Sequence, residues 1–339
     1  MIAVVVINYR HATTTLECLS SLYARAGHPF HLFLVDNAAD EESRVALGNF
    51  AGRHDHVTLI INDDNRGFAG GCNQALAEVL RDPRFHAVAL LNNDTVVETD
   101  WLARMARRLD PERRIEMVAG RMVCFDRPEA IDSLGIVLYK SGIASNRKRP
   151  VEPLLGPCAG AALYTVSLLE AAREVAGHVF DPDFFCYAED TDLALRARAL
   201  GYQCVLADDA VVRHRGSLSS GGGYNEFVAY HGLRNSLFAL VKNLPAGFFW
   251  RNFGWILLMQ GAVMVKYLVK GKPGLLWRIY RDFGSGLPRI LGQRQRLWAR
   301  LGRRWTDWRQ IVSPRFYDPD YLRQGLRTLH RRDIRSARL

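Results

Sequence analysis

Residues 2–9 read IAVVVINY, an apolar run of six residues that stops at an amide and a phenol. An unbroken run rich in β-branched side chains, without alternation, is the pattern of a strand buried on both faces. Similar runs recur at Leu32 to Val35, Val57 to Ile61, Ala87 to Leu91 and Met117 to Val123, most of them separated by helix-like segments. This alternation predicts an α/β fold, a mostly parallel sheet flanked by helices, whose ligands bind beyond the carboxyl ends of the strands. Those ends are furnished alike, with Asn8 and Tyr9, Asp36 and Asn37, Asn62 to Asn65, and Asn92, Asn93 and Asp94. One Asp or Asn after a strand is ordinarily a turn former or a helix cap. Four successive ends so equipped point instead to a nucleotide and metal site. No Walker-type phosphate loop follows any strand, and residues 65–73, NRGFAGGCN, do not spell the dinucleotide fingerprint. A bound diphosphate would therefore need a divalent cation held by carboxylates of the chain.

A second acidic group stands further along. Residues 180–201 read FDPDFFCYAEDTDLALRARALG, where an aromatic loop runs into a patterned helix that ends near Gly201. Glu189, Asp190 and Asp192 fall at its start. Acidic residues there commonly act as caps and dipole partners, so their position alone leaves a structural and a catalytic role open.

The chain of 339 residues, 48% of them hydrophobic, can bury one large or two modest cores. Its six cysteines form no CxxC pair and no close His/Cys cluster, which argues against a disulfide framework and a structural zinc, and suits a reducing cytosol. Met1 leads directly into the apolar run without a basic stretch or cleavage site, so no secretory signal is read. The net charge of +10 is unevenly spread: residues 234–339 carry 22 Lys and Arg against 5 Asp and Glu. An acidic front and a basic tail suggest two tasks, the tail seeking an anionic surface.

From Asn243 the chain reads NLPAGFFWRNFGWILLMQGAVMVKYLVKGKPGLLWRIYRDFGSGLPRIL. Its longest charge-free run, Asn252 to Val265, has 14 residues, fewer than the roughly 20 that cross a bilayer. Aromatic and aliphatic faces interrupted by Arg and Lys suit helices lying in a membrane interface, and a helical subdomain packed on the front half is the alternative.

Seven segments in order carry a family resemblance: VVVINYR, VDNAADE, NRGFAGGCNQAL, LLNNDTVV, GPCAGAALY, FCYAEDTDLALRARALGY and HRGSLSSGG. From residue 1 to about 235 the chain resembles the inverting GT-A glycosyltransferases of family 2, especially bacterial rhamnosyltransferase-like members that build cell-surface polysaccharide such as O-antigen. The resemblance implies a GT-A nucleotide-diphospho-sugar transferase fold over residues 1–235, and the composition of the tail adds a helical, basic, membrane-associating region over 236–339. It implies that Asn8, Tyr9, Asp36, Asn37, Asn65, Gly67, Asn73, Asn93, Asp94 and Gly160 line the donor site, with Asp36 accepting from base or ribose. Asp94 stands at the last position of a DxD-like motif and His214 at a second ligand position, together holding Mg²⁺ or Mn²⁺. Asn92 replaces the first carboxylate of that motif. The ED pair marks Asp190 as the base that deprotonates the acceptor, with Glu189 and Asp192 shaping the acceptor site or supporting its position.

The implied partners are a dTDP- or UDP-sugar, L-rhamnose from dTDP-L-rhamnose among the candidates, a glycan acceptor on polyprenyl diphosphate, and the inner face of the cytoplasmic membrane. A nucleic-acid-binding role through the basic tail is a weaker alternative, opposed by the acidic front half and the apolar interleaving of the tail, so no nucleic acid is expected. A catalytically weak assembly subunit on the membrane remains the alternative, kept open by Asn92.

Overall fold

The computed structural model describes residues 1–37, 40–216, 225–301, 305 and 308–320. Ala38 and Ala39 of the VDNAADE segment, Ser217 to Gly222 of the HRGSLSSGG segment, and the arginines beyond residue 320 lie outside the described residues.

The chain runs β1 (Ile2–Asn8), α1 (Ala12–Arg25), β2 (Phe30–Asn37), α2 (Glu41–Ala51), β3 (Val57–Asn62), α3 (Gly67–Val79) and β4 (Ala87–Leu91). It continues through β5 (Thr95–Val97), α4 (Trp101–Ala106), β6 (Ile115–Cys124), β7 (Arg127–Ser133), β8 (Ile136–Tyr139), β9 (Ala144–Asn146) and β10 (Ala161–Thr165). Then come α5 (Val166–Ala176), α6 (Glu189–Ala199), β11 (Gln203–His214), α7 (Glu226–Asn243), α8 (Ala246–Val269), α9 (Pro273–Leu301) and β12 (Val312–Ser313).

The five apolar runs of the sequence are β1, β2, β3, β4 and β6. Side-chain alternation explains why β1 is apolar throughout: Ile2, Val4 and Val6 face α1 at Leu19 and Leu22, while Ala3 and Val5 face α3 at Ala69 and Leu76. Each fully buried Val or Leu contributes about 1.5–3 kcal/mol, so a polar residue on either face would be costly.

The main sheet has the order β3-β2-β1-β4-β10-β6-β11-β5, with β7 paired to β6. The first four strands are parallel. Antiparallel β10 separates them from the parallel pair β6 and β11, and antiparallel β5 closes the edge. Strand β1 is flanked by β2 on one side and β4 on the other. The chain changes direction there, which opens a crevice at the carboxyl ends of β1 and β4.

The C-terminal part is not a loose appendage. A small sheet sets β12 against one edge of β8, with β9 on the other. Arg294 on α9 donates to the carbonyls of Val241 and Leu244 at 2.7 Å each. The division expected at 235/236 falls inside α7, and beyond it Lys242, fully buried, reaches Asp181 at 2.8 Å and Asp192 at 3.1 Å.

Helix α8 differs from the rest. Only a narrow stripe of Phe248, Asn252, Met259 and Tyr267 is buried, whereas Trp250 is 83% exposed, and Leu257, Val265 and Leu268 are each more than half exposed. The 14-residue charge-free run understates this element. Arg251 and Lys266 fall near its two ends, and the 24-residue helix, with mean hydropathy 1.3 over its most apolar window, is long and apolar enough to cross a membrane by length and composition.

Candidate active site

The floor of the crevice is a chain of hydrogen bonds among strand-end side chains. Asn93 donates to Thr15 Oγ1 at 2.9 Å, Thr15 donates to Asn8 Oδ1 at 2.7 Å, and Asn8 donates to Asp36 Oδ1 at 2.8 Å. Asp36 is wholly buried and its second oxygen, Oδ2, has no partner. Burial pushes its pKa up, with Asn8 opposing. A buried carboxylate oxygen left unpaired is costly, so Asp36 is poised to accept from a ligand. Asn8 and Asn93 hold it from behind.

The next loop is built by amides bonding backbone. Asn37 donates to Asn65 Oδ1 at 3.0 Å and to the Gly67 carbonyl at 2.9 Å, and accepts from the Arg66 N–H at 3.0 Å. Asn65 in turn accepts from the Gly67 N–H at 2.9 Å. Gly67 has φ +68°, and a Cβ there would collide with the backbone carbonyl and ring of Phe185. Asn37 and Gly67, expected at the donor, thus shape the loop, because their polar groups are used within it. Asn73 likewise bonds both backbone groups of Phe180, at 2.8 and 3.1 Å, and pins α3 to the aromatic loop. Tyr9 is half-buried at the crevice edge with the Arg10 guanidinium over its ring.

Asp94 follows β4, and His214 ends β11, whose last residues pair with β5. That pairing brings His214 Nε2 to 3.1 Å from Asp94 Oδ1 and 3.4 Å from Asn92 Nδ2. The opposite ring nitrogen, Nδ1, meets Asp132 Oδ2 at 2.7 Å. Burial works against charge on the ring, but the two carboxylates outweigh it and raise its pKa to about 9. Asp132 is held below the usual carboxylate range by His214 and Lys148, although burial opposes this.

The separation of Asp94 and His214 suits a shared ion, since neighbouring ligands of an octahedral Mg²⁺ at about 2.1 Å stand about 3.0 Å apart. Among the described residues no three His, Cys, Asp or Glu side chains are arranged as a complete cage. Asp94 and His214 are the side chains that could share a cation here, and the Asn92 amide lies beside them with its Nδ2 turned to the imidazole.

The ED segment is presented by a strained turn. Phe185, Tyr187 and Ala188 all have positive φ, near +64°, +69° and +67°, a conformation that costs about 1–3 kcal/mol for each non-glycine residue. Asn235 of α7 supports it, its Nδ2 lying 2.8 Å from the carbonyls of Phe184, Cys186 and Tyr187. The cap position of α6 is Ala188, which offers no side chain, so Asp190 is not the cap.

Asp190 Oδ1 accepts from the Thr191 N–H at 2.7 Å, and Oδ2 from the Ala159 N–H at 3.1 Å. Burial raises its pKa against these bonds. Glu189 is buried, and its Oε2 is unpaired. Burial and then the neighbouring Asp190 push its pKa well up, which favours the neutral acid. Of the two roles expected for Asp192, shaping the acceptor site or supporting it, its surroundings suit the second. It is fully buried on the other side of the helix and is taken up by Arg196 at 3.1 Å, Lys242 at 3.1 Å and the Asn243 amide at 2.7 Å. Those partners hold its pKa well down against burial.

Residues 158–160 join the two acidic centres. Ala159 bonds Asp190, while the next carbonyl, that of Gly160, accepts from the Asn92 N–H at 3.1 Å. A Cβ on Gly160 would displace the flexible end of Met122 and press on the Asn92 side chain. Two participants escaped sequence reading, Asp132 and Asn235; nothing in their local sequence sets them apart from turn or helix polar residues.

Residues 3–171, about half of the chain, match the family model of glycosyl transferase family 2. The fold is that of the GT-A glycosyltransferases, and residues 3–171 are similar to glycosyl transferase family 2. The structure is similar to GalNAc-T7 solved with UDP, GalNAc and Mn²⁺, with TM-score 0.55, 13% identity, and coverage of 71% of this chain and 48% of that one. It is also similar to the mannosyltransferase PcManGT from Pyrobaculum calidifontis in complex with GDP-Man and Mn²⁺, with TM-score 0.52, 17% identity, and coverage of 87% and 86%. S. aureus TarS aligns with TM-score 0.50 and 14% identity over 71% of this chain and 39% of its own. The chain thus spans about half or less of two of these three. No curated protein sequence matches it.

Proposed function

We propose that this chain is an inverting, metal-assisted glycosyltransferase that moves a sugar from a nucleotide diphosphate to a glycan acceptor carried on polyprenyl diphosphate. The observation that carries the reading is the short bridge at 159–160, which binds Asp190 on one side and the Asn92–Asp94 turn on the other. A general base and a diphosphate site on either side of one loop suit in-line displacement at an anomeric carbon.

In this reading Asp36 accepts from the nucleoside, and Asp94 with His214 holds Mg²⁺ or Mn²⁺, aided by the Asn92 amide. The cation, when bound, offsets charge on the departing diphosphate. Asp190 takes the proton of the acceptor hydroxyl as its oxygen bonds to the anomeric carbon and the bond from that carbon to the diphosphate oxygen breaks. No enzyme-linked intermediate is needed, and the configuration inverts. A raised pKa brings Asp190 nearer the operating pH, which favours proton transfer, and a neutral Glu189 beside it adds no competing charge. Among donors, dTDP-L-rhamnose and other dTDP- or UDP-sugars lead.

A thermal-shift titration with dTDP, UDP, GDP and CMP, each with and without Mn²⁺, tests the reading. A ligand at 100 times its Kd stabilises by about 2.7 kcal/mol. One nucleotide is expected to stabilise in a Mn²⁺-dependent way that Asp94→Ala removes; no stabilisation by any of them would overturn it.

We further propose that α8 and α9 lie in the cytoplasmic membrane interface. The bare apolar surface of α8, together with Trp277 on α9 at 68% exposure, is the support, since soluble surfaces rarely leave such a patch uncovered. The stripe from Phe248 to Tyr267 packs along the fold, which favours lying flat over crossing. Liposome flotation is the test: Trp250→Ser with Leu257→Ser should release the protein, and a wild-type chain that never floats would refute the attachment.

A further inference from the structure

We infer that Asp132 is a positioning residue that fixes His214 as a metal ligand and sets the affinity of the site for its divalent cation. The inference rests on the metal-binding reading above and concerns a side chain that the family-like motifs do not contain.

The geometry begins with strand register. On β7, Ser133 pairs with Met122 and Ile131 pairs with Val123, so two steps along β7 answer one step along β6. Asp132 is the extra residue of that β-bulge. A bulge breaks the alternation of the strand and re-aims one side chain, and bulges are common beside active sites. On the other edge of β6, Cys124 pairs with His214 of β11. The re-aimed carboxylate thus meets the imidazole from the side away from the crevice.

Asp132 Oδ2 lies 2.7 Å from Nδ1, while Nε2 points to Asp94 Oδ1 at 3.1 Å. An Nδ1–H held by a carboxylate leaves Nε2 as the nitrogen for a metal once the ion displaces its proton, fixes the plane of the ring and makes it a stronger ligand. Outer partners of this kind alter metal affinity by 10–100-fold. The His214 side chain is only 14% exposed, so no abundant water stands ready to replace the carboxylate. A neutral Asn92 in place of a carboxylate makes the contribution of His214 larger than in a site with two acidic ligands.

The test measures Mn²⁺ affinity directly, by electron paramagnetic resonance of the free ion, on the full chain without nucleotide. Asp132→Ala is expected to weaken Mn²⁺ binding by about 10–100-fold. Asp132→Asn, which still offers an oxygen to Nδ1–H, should restore part of the loss, and the melting temperatures of the two variants confirm that both are folded. Asp94→Ala, removing a direct ligand, is the reference for a lost site. Mn²⁺ binding by folded Asp132→Ala within twofold of wild type would overturn the inference alone. Failure of the wild-type chain to bind Mn²⁺ would overturn it together with the metal-binding reading, and the two failures are told apart by the wild-type titration.

Discussion

Two clusters of charge lie on either side of α6, and they are opposites. On the crevice side Asp36, Glu189 and Asp190 have raised pKa values, and two of these carboxyls keep an oxygen without a partner. On the far side Asp181 and Asp192 have lowered pKa values and are closed off by Lys242, Arg196 and Asn243. Open carboxyl oxygens mark the face that can accept from a ligand, and fully paired carboxylates mark the joint that holds the fold. Asp190 and Asp192 are two positions apart, yet a helix turns roughly 200° over that step, enough to assign them to different clusters.

The contrast can be broken by substitution. Asp190→Asn should lower transfer by about 10²–10⁴-fold, the usual worth of a general base, with nucleotide binding and melting temperature near wild type; retained turnover in a coupled nucleotide-release assay would place the base elsewhere. Lys242→Met should act oppositely, costing about 3–5 kcal/mol in urea denaturation because two buried carboxylates lose their cation. A stability within 1 kcal/mol of wild type, on the scale of exposed ion pairs, would show that the joint is not closed.

Gly67→Ala should cost about 1–3 kcal/mol, since it forces a side chain into positive φ against Phe185. It should also slow transfer by displacing the turn that presents Asp190, and an unchanged rate would uncouple the two.

The finest test is the slope of stability against pH. Asp192 has a folded pKa below its unfolded value of about 3.9, so its stabilisation is present above that pH and is lost as pH falls toward the folded value. Glu189 has a folded pKa above its unfolded value of about 4.3, so its contribution is present at acid pH and is lost as pH rises toward the folded value. Asp192→Asn should therefore flatten the acid limb of the curve, and Glu189→Gln should stabilise at pH 8 but not at pH 4. Parallel curves for both variants would refute the division between the clusters.

Much of this was legible in the sequence. The apolar runs from Ile2, Leu32, Val57, Ala87 and Met117 are strands because full burial on two faces leaves no other composition. Asp94 and His214 meet, and Asp190 faces the loop at Ala159. What escaped depends on pairing between distant segments. The place of strand β10 in the sheet is fixed only when it fills the gap between β4 and β6. The role of Asp132 arises from a register shift that exists only once β6 and β7 are paired. Asn37 and Asn73 look like ligand contacts but are consumed by backbone groups, since short amides serve either use equally well.

The bracket formed by Asn235 has a practical corollary for chimeras. Because that one amide holds the carbonyls on both sides of the strained turn, and because Lys242 closes the joint beneath it, α7 has to travel with the catalytic half in any exchange between relatives. A splice placed after Asn243 would carry both intact, whereas one placed before Asn235 would leave the turn to relax into an ordinary loop. An exchanged α9 would still have to keep Arg294, which bonds the Val241 and Leu244 carbonyls at the end of α7.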